Sequence, residues 1–275
     1  MGRLTARRRI IRLGPDRAVQ RVDALAVEEP LELRVGGQSL SVTMRTPGHD
    51  VELAHGFLLT EGVIGSAMDV ATARYCQGTD PDGRQTYNVL DVALADGVAA
   101  PGPGVARNFT TTSSCGVCGK GALESVRLRT RHCPAGDAVV LDPAVLRTLP
   151  GALRSAQRVF DSTGGLHAAG LYESDGTAVT VREDVGRHNA VDKVLGAALL
   201  AGRVPAAGAV LMVSGRASFE LVQKAAMAGV PTLAAVSAPS SLAAELAEDE
   251  GITLIGFLRG DSMNVYTRPD RLKLD

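Results

Sequence analysis

The alternation of apolar and polar positions changes character along the chain, and the changes outline its elements. Between residues 19 and 47, LELRV and SLSVTM flank Gly36-Gly37, which predicts strands joined by a tight hairpin turn. DVELAHGFLLTE (50–61) places Leu53, Phe57 and Leu58 on one side at helical spacing, with Gly62 as a stop. Strands are predicted again over 71–76 and 87–95, on either side of the turn-forming TDPDG. This first part reads as a small α+β unit. GVAAPGPG (97–104) is a loop by composition, 120–128 suits a short helix, and Asp142-Pro143 suits a helix cap and first turn.

Beyond residue 165 the pattern becomes more apolar. Residues 166–172 and 178–183 predict a hairpin across SDG, and 191–200 predicts a helix devoted mostly to core packing. Apolar runs at 209–213, 232–236 and 253–258 alternate with helical patterns at 219–228 and 242–250. The first of these helices ends at Gly229 and Pro231, and the second follows Pro239-Ser240-Ser241. Continuous apolar strands alternating with helices predict a buried, largely parallel sheet in an α/β domain. The organisation expected is a basic arm (1–18), an α+β subdomain (19–105), a linker (106–140) and an α/β domain (141–275).

Composition narrows the function classes. The chain of 275 residues is 45% hydrophobic but only 3% aromatic, so Ala, Val and Leu must build the core. A net charge of -1 gives no global attraction to nucleic acid or membrane. The opening MGRLTARRRIIR lacks acidic residues, as a transit peptide does, but reads as a solvated, frayed arm. No apolar run approaches the ~18 residues of a membrane span. Four cysteines without a secretory signal point to a reducing cytoplasm, where a CxxC is catalytic or metal-binding.

That motif is TTTSSCGVCGKG (110–121), with Cys115 and Cys118 three positions apart. Gly116, Gly119 and Gly121 leave the sulfurs uncrowded, Ser113 and Ser114 can donate to a sulfur anion, and Lys120 favours the thiolate. A helix beginning near Cys118 would act in the same sense. Three chemistries share this design: dithiol–disulfide exchange, a zinc site and a persulfide carrier. The position midway along the chain, after a Pro/Gly loop, disfavours a thioredoxin-like exchanger. Zinc needs four ligands; beyond the pair only His132 and Cys133 stand near, and adjacent residues chelate poorly together. No H-x-E followed by P-C-x-x-C, the deaminase pattern, is present.

In an open α/β sheet a ligand binds beyond the carboxyl ends of the strands. Here those ends carry DVGRHN (184–189), Ser214-Gly215-Arg216, SAPSS (237–241) and Phe257-Leu258-Arg259-Gly260-Asp261-Ser262. Backbone N–H groups there can approach a phosphate, and Arg187, Arg216 and Arg259 can grip its oxygens. Asp261 can accept from a guanine ring and Phe257 can stack on it. His188 suits a ligand contact. His49, His55 and His167 suit structural roles, and Asp192 with Lys193 suits a solvated pair. Cys76 and Cys133 read as ordinary buried thiols.

These motifs, in this order, resemble the FdhD family of formate dehydrogenase accessory sulfurtransferases. The resemblance rests on RTPGHDVELAHGFLLTEGVI (45–64), SSCGVCGK (113–120), REDVGRHNAVDKVLG (182–196), SGRASFELVQKAAMAGVP (214–231), SAPSSLA (237–243) and GFLRGDSMNVYT (256–267). It implies a C-terminal three-layer α/β domain similar to the cytidine deaminase fold, without zinc. It implies a homodimer that takes sulfur from a cysteine desulfurase as a persulfide. The acceptor implied is the molybdenum bis(molybdopterin guanine dinucleotide) cofactor of formate dehydrogenase. Cys115 then matches the persulfide-bearing cysteine, Cys118 its partner, and 257–262 the cofactor-binding stretch. The competing reading is a non-enzymatic chaperone that binds cofactor and dehydrogenase.

Overall fold

The computed structural model describes residues 4–76, 78, 86–101 and 130–274. The CxxC motif, the TDPDG turn and the helix expected over 120–128 lie outside the described residues.

Among the described residues there are three sheets. β1 (Thr5–Leu13) and β2 (Ala18–Ala26) form an antiparallel ribbon of their own. The basic arm is therefore a strand rather than a frayed end. Its polar residues give no alternating signal because both faces of the ribbon are largely exposed.

The second sheet has the order β4-β3-β6-β5, from β3 (Glu29–Val35), β4 (Gln38–Arg45), β5 (Val70–Tyr75) and β6 (Val89–Leu94). Gly36 and Gly37 make the β3–β4 turn with φ of 58° and 80°, conformations that L side chains resist. Alternate residues Leu31, Leu33 and Val35 are buried, as the period of two requires. Helix α1 (Asp50–Thr60) follows β4 and covers this sheet.

The third sheet has six strands in the order β12-β11-β10-β9-β7-β8. They are β7 (His167–Tyr172), β8 (Ala178–Asp184), β9 (Val210–Val213), β10 (Thr232–Ala235), β11 (Thr253–Arg259) and β12 (Ser262–Val265). Only the β9–β10 and β10–β11 ladders are parallel. The sheet is mixed rather than largely parallel, because tight turns make β7–β8 and β11–β12 hairpins and β7 runs against β9.

Helices lie on both faces of this sheet. α2 (Pro143–Ala156) packs on one face through Leu146, Leu149 and Leu153, and the short α3 (Arg158–Thr163) follows it. Asp142 caps α2, its Oδ1 accepting from Ala144 N at 2.8 Å. On the other face lie α4 (Arg187–Leu200), α5 (Phe219–Met227) and α6 (Ser241–Glu250).

One apolar core joins α1 and the four-stranded sheet to α4, α5, α6 and the six-stranded sheet. The contact between α1 and α4 depends on two glycines. A Cβ on Gly56 would stand 1.8 Å from the Asp192 carbonyl oxygen, and one on Gly196 would stand 1.8 Å from that of Glu52. Because α4 is enclosed by the sheet on one side and α1 on the other, it is buried nearly all round.

That enclosure overturns the expectation of a solvated Asp192–Lys193 pair. Both are buried, at 2% and 1% exposure, and each has a distant partner. Lys193 Nζ lies 2.6 Å from Asp184 Oδ2 and donates to the Thr46 carbonyl at 2.8 Å. Asp192 accepts from Lys224 Nζ at 2.8 and 2.9 Å and from Thr60 Oγ1 at 2.9 Å. Neighbouring helical residues point about 100° apart and do not face each other.

Candidate functional site

Strand direction gathers the polar stretches. β8 and β9 both run antiparallel to β7, so β8, β9, β10 and β11 end at one edge of the sheet. Arg187, His188, Ser214, Arg216 and residues 257–262 follow those ends. Backbone hydrogen bonds continue beyond the strands: Ser237 N donates to Gly215 O at 3.3 Å, and Phe257 N to Ser237 O at 3.1 Å.

At the β11 end, Phe257 adopts a left-handed backbone (φ 51°) at the bulge between Gly256 and Arg259. The Arg259 guanidinium lies 5.6 Å from the Phe257 ring centroid, a cation–π contact. Arg259, Gly260, Asp261 and Ser262 are exposed at the turn into β12. Leu258 is fully buried in the core, so only its backbone is available to a ligand.

The β8 end is built around Asp184, which is fully buried. Its carboxylate accepts from Gly186 N at 2.8 Å, Asn189 Nδ2 at 3.1 Å and Thr46 N at 3.2 Å, besides pairing with Lys193. Burial raises its pKa, opposed by Lys193 and these donors. The network ties the RTPGHD stretch to DVGRHN and fixes the start of α4. Arg187 is the first helical residue, after Gly186, which offers no side-chain cap. Arg187 Nε is buried without a hydrogen-bond partner among the described residues. His188 Nε2 lies 2.7 Å from Glu220 Oε2. Arg216 is exposed.

A cleft of about 630 Å³ opens beside this edge, beneath α2 and α3. Of the residues expected to hold a ligand, only Ser214 lines it. Its polar lining otherwise comes from Arg154 and Gln157, which carried no sequence signal, and from His167, for which a structural role was expected. Ser214 Oγ accepts from Ala168 N at 2.9 Å. His167 is half-buried; burial, with Arg187 and His188 nearby, lowers its pKa.

Two further charged groups hold α1 in place. Glu52 accepts from Arg182 Nε and Nη2 at 2.6 and 2.8 Å, with His49 Nδ1 at 3.1 Å. Burial alone would raise its pKa, but these partners bring it down to about 2. Burial disfavours the Lys224 ammonium, yet Asp192 and Glu61 outweigh it and hold its pKa up. His55 is buried, its Nδ1 2.7 Å from Val51 O, in keeping with a structural role. Cys76 sits just past β5 and is partly buried, whereas Cys133 is exposed, contrary to the buried role expected of it.

Among the described residues no cluster of three or more His, Cys, Asp or Glu side chains is arranged to hold a metal. Nor is any helix among them long and apolar enough to cross a membrane.

The fold and its polar strand-end edge define a mixed α/β protein with an α+β unit fused through a shared core. A crystal structure of a protein from Desulfotalea psychrophila, described as a formate dehydrogenase accessory protein, has the same fold. Its TM-score is 0.75 at 24% identity, covering 98% of this chain and 100% of that one. The model of the FdhD/NarQ family matches residues 26–273, and the chain belongs to that family. It is similar to the sulfur carrier protein FdhD of Mycolicibacterium paratuberculosis, 62% identical over 98% of this chain and 99% of the relative. That of Nocardia farcinica is 62% identical over 99% and 96%. The family match begins at residue 26, so β1 and nearly all of β2 lie outside it.

Proposed function

We propose that this protein is a sulfur carrier that serves formate dehydrogenase. The observation that carries the reading is the 62% identity, over nearly the whole chain, to relatives named sulfur carrier protein FdhD. The SSCGVCGK motif supplies a thiol pair suited to that role.

In this reading Cys115 thiolate attacks the outer sulfur of a desulfurase persulfide. The desulfurase cysteine leaves as a thiolate, and Cys115 carries the sulfur as a persulfide anion. The acceptor is the molybdenum of the bis(molybdopterin guanine dinucleotide) cofactor, bound as substrate. Cys118 thiolate then attacks Cys115 sulfur and releases the outer sulfur as sulfide to the metal. A Cys115–Cys118 disulfide remains, which a cellular dithiol reduces. The strand-end edge, with Arg187, His188, Ser214, Arg216 and residues 257–262, receives the nucleotide ends of the cofactor. The protein acts in this reading as a cytoplasmic homodimer.

The test is formate dehydrogenase activity in a strain lacking its own carrier and complemented with this chain. Cys115→Ala should abolish the activity that wild type restores. Retention of most activity would favour a cofactor-binding chaperone instead.

A further inference from the structure

The ribbon of β1 and β2 is a two-stranded sheet with no third strand among the described residues. A lone hairpin of this kind is marginally stable in water; a further strand or a covered face normally supports it. Little of this one is covered. Residues Ala18–Asp23 are all exposed, and Val22 keeps 63% of its surface in water. At the base of β2, where α3 touches the strand, Ala24 and Ala26 are half-buried while Leu25 between them is exposed. That alternation places α3 against one face of β2 and leaves its edge open. Beyond its ladder with β1, the β2 backbone makes no hydrogen bond among the described residues. An open edge nine residues long is a template for another strand.

The sequence of β2 says which strand fits. In an antiparallel pair, residues directly opposite share a face and their side chains meet. β2 reads AVQRVDALA. Paired antiparallel with its own copy about Val22, it sets Arg21 opposite the partner's Asp23 and Asp23 opposite the partner's Arg21. Val19 and Leu25 meet in the same reciprocal way, Gln20 meets Ala24, and Val22 meets its own copy. Moving the centre to residue 21 would set Arg21 against Arg21, and moving it to residue 23 would set Asp23 against Asp23. Charge therefore selects the register centred on Val22. Within the ribbon Arg8 stands opposite Asp23, so a row across the paired sheet reads Arg8, Asp23 and the partner's Arg21, alternating in sign. Neither Arg21 nor Asp23 has an ion-pair partner among the described residues. β1 offers no such match. It carries Arg7, Arg8, Arg9 and Arg12 with no acidic residue, so pairing with its own copy would bring eight guanidinium groups together.

We propose that β2 is the seam between two copies of this chain, paired antiparallel about a two-fold axis at Val22. The result is a four-stranded sheet, β1-β2-β2-β1, that runs through both subunits. The contact is isologous and closes on itself. β1 remains on both outer edges, where its arginines repel further strands and stop growth beyond two copies. The proposal rests on the homodimer in the functional reading above and assigns the surface that forms it. Almost all of β2 precedes residue 26, where the family match begins, so family membership does not supply the seam.

The test is sedimentation of the purified full chain over a range of concentrations, for wild type, Asp23→Arg, Arg21→Asp and the double exchange. Either single change sets like charges face to face twice across the axis and should raise the dimer dissociation constant about tenfold or more. The double exchange restores opposite charges across the axis and should return the constant close to that of wild type. It retains the like-charge neighbour of Arg8 that Asp23→Arg introduces, so recovery reports contact between copies and not repair within one ribbon. Equal association by all four proteins would overturn the seam and leave the homodimer and carrier readings standing. A double exchange as weak as the single changes would also overturn it, because the charges would then act inside one ribbon. A wild type that stays monomeric would overturn the seam together with the homodimer, while sulfur loading of Cys115 would be untouched.

Discussion

Replacing Gly56 with alanine should separate the two halves of the protein at their closest approach. An added Cβ would lie 1.8 Å from the Asp192 carbonyl oxygen and 2.5 Å from its carbonyl carbon. Both are backbone atoms of α4 and cannot rotate away. Reaching an ordinary 3.4 Å contact requires the helices to part by more than an ångström, in a core with no slack. Overpacking of this kind costs ~3 kcal/mol, the upper end of the usual range. Alanine returns ~1 kcal/mol through helix propensity. A net loss of about 2 kcal/mol or more follows, seen as a melting temperature lowered by roughly 5 °C or more. Gly196→Ala should behave alike, since its Cβ meets the Glu52 carbonyl at 1.8 Å. The double variant should lose less than the two added together, because one separation relieves both clashes. Gly151→Ala is the control: it lies within α2, with nothing within 4 Å of the added Cβ, and should gain about 0.5–1 kcal/mol. Melting curves of the four variants decide the matter. A Gly56→Ala protein as stable as wild type would refute the account of the α1–α4 contact.

Lys224→Met should destabilise by ~3–5 kcal/mol in urea unfolding, because it leaves the buried Asp192 carboxylate unpaired; changing Asp192 to Leu as well should restore much of the loss. Glu52 should make stability depend on acid. Its folded pKa of about 2 lies below the ordinary glutamate value of 4.5, so its contribution is full above 4.5 and disappears as pH falls toward 2. That contribution is about 3 kcal/mol from the size of the shift, and Glu52→Gln should flatten the stability profile across this window.

Much of the architecture was legible because local signals and tertiary structure agree. Gly36-Gly37 encodes the β3–β4 turn, and the apolar runs at 209–213, 232–236 and 253–258 are strands of the six-stranded sheet. The shared edge of DVGRHN, Ser214–Arg216 and residues 257–262 follows from the direction of those strands. Other features left no local trace. Strand β1 is basic and largely exposed on both faces, so its residues neither alternate nor look strand-like. Asp192 and Lys193 look like a surface pair because their true partners, Lys224 and Asp184, are brought to them only by the packed fold. Strand β12 hid within a stretch read for its chemistry. Cys115 and Cys118 are the reverse case: they are known from the motif alone and lie outside the described residues.

The most direct test of the carrier reading is the intact mass of the protein after incubation with a cysteine desulfurase and cysteine. Wild type, Cys115→Ala and Cys118→Ala are compared with and without a reductant. The account expects wild type to gain the mass of a sulfur atom, to lose it on reduction, and to require Cys115 for the gain. No gain in wild type, with the same desulfurase loading another acceptor, would contradict it.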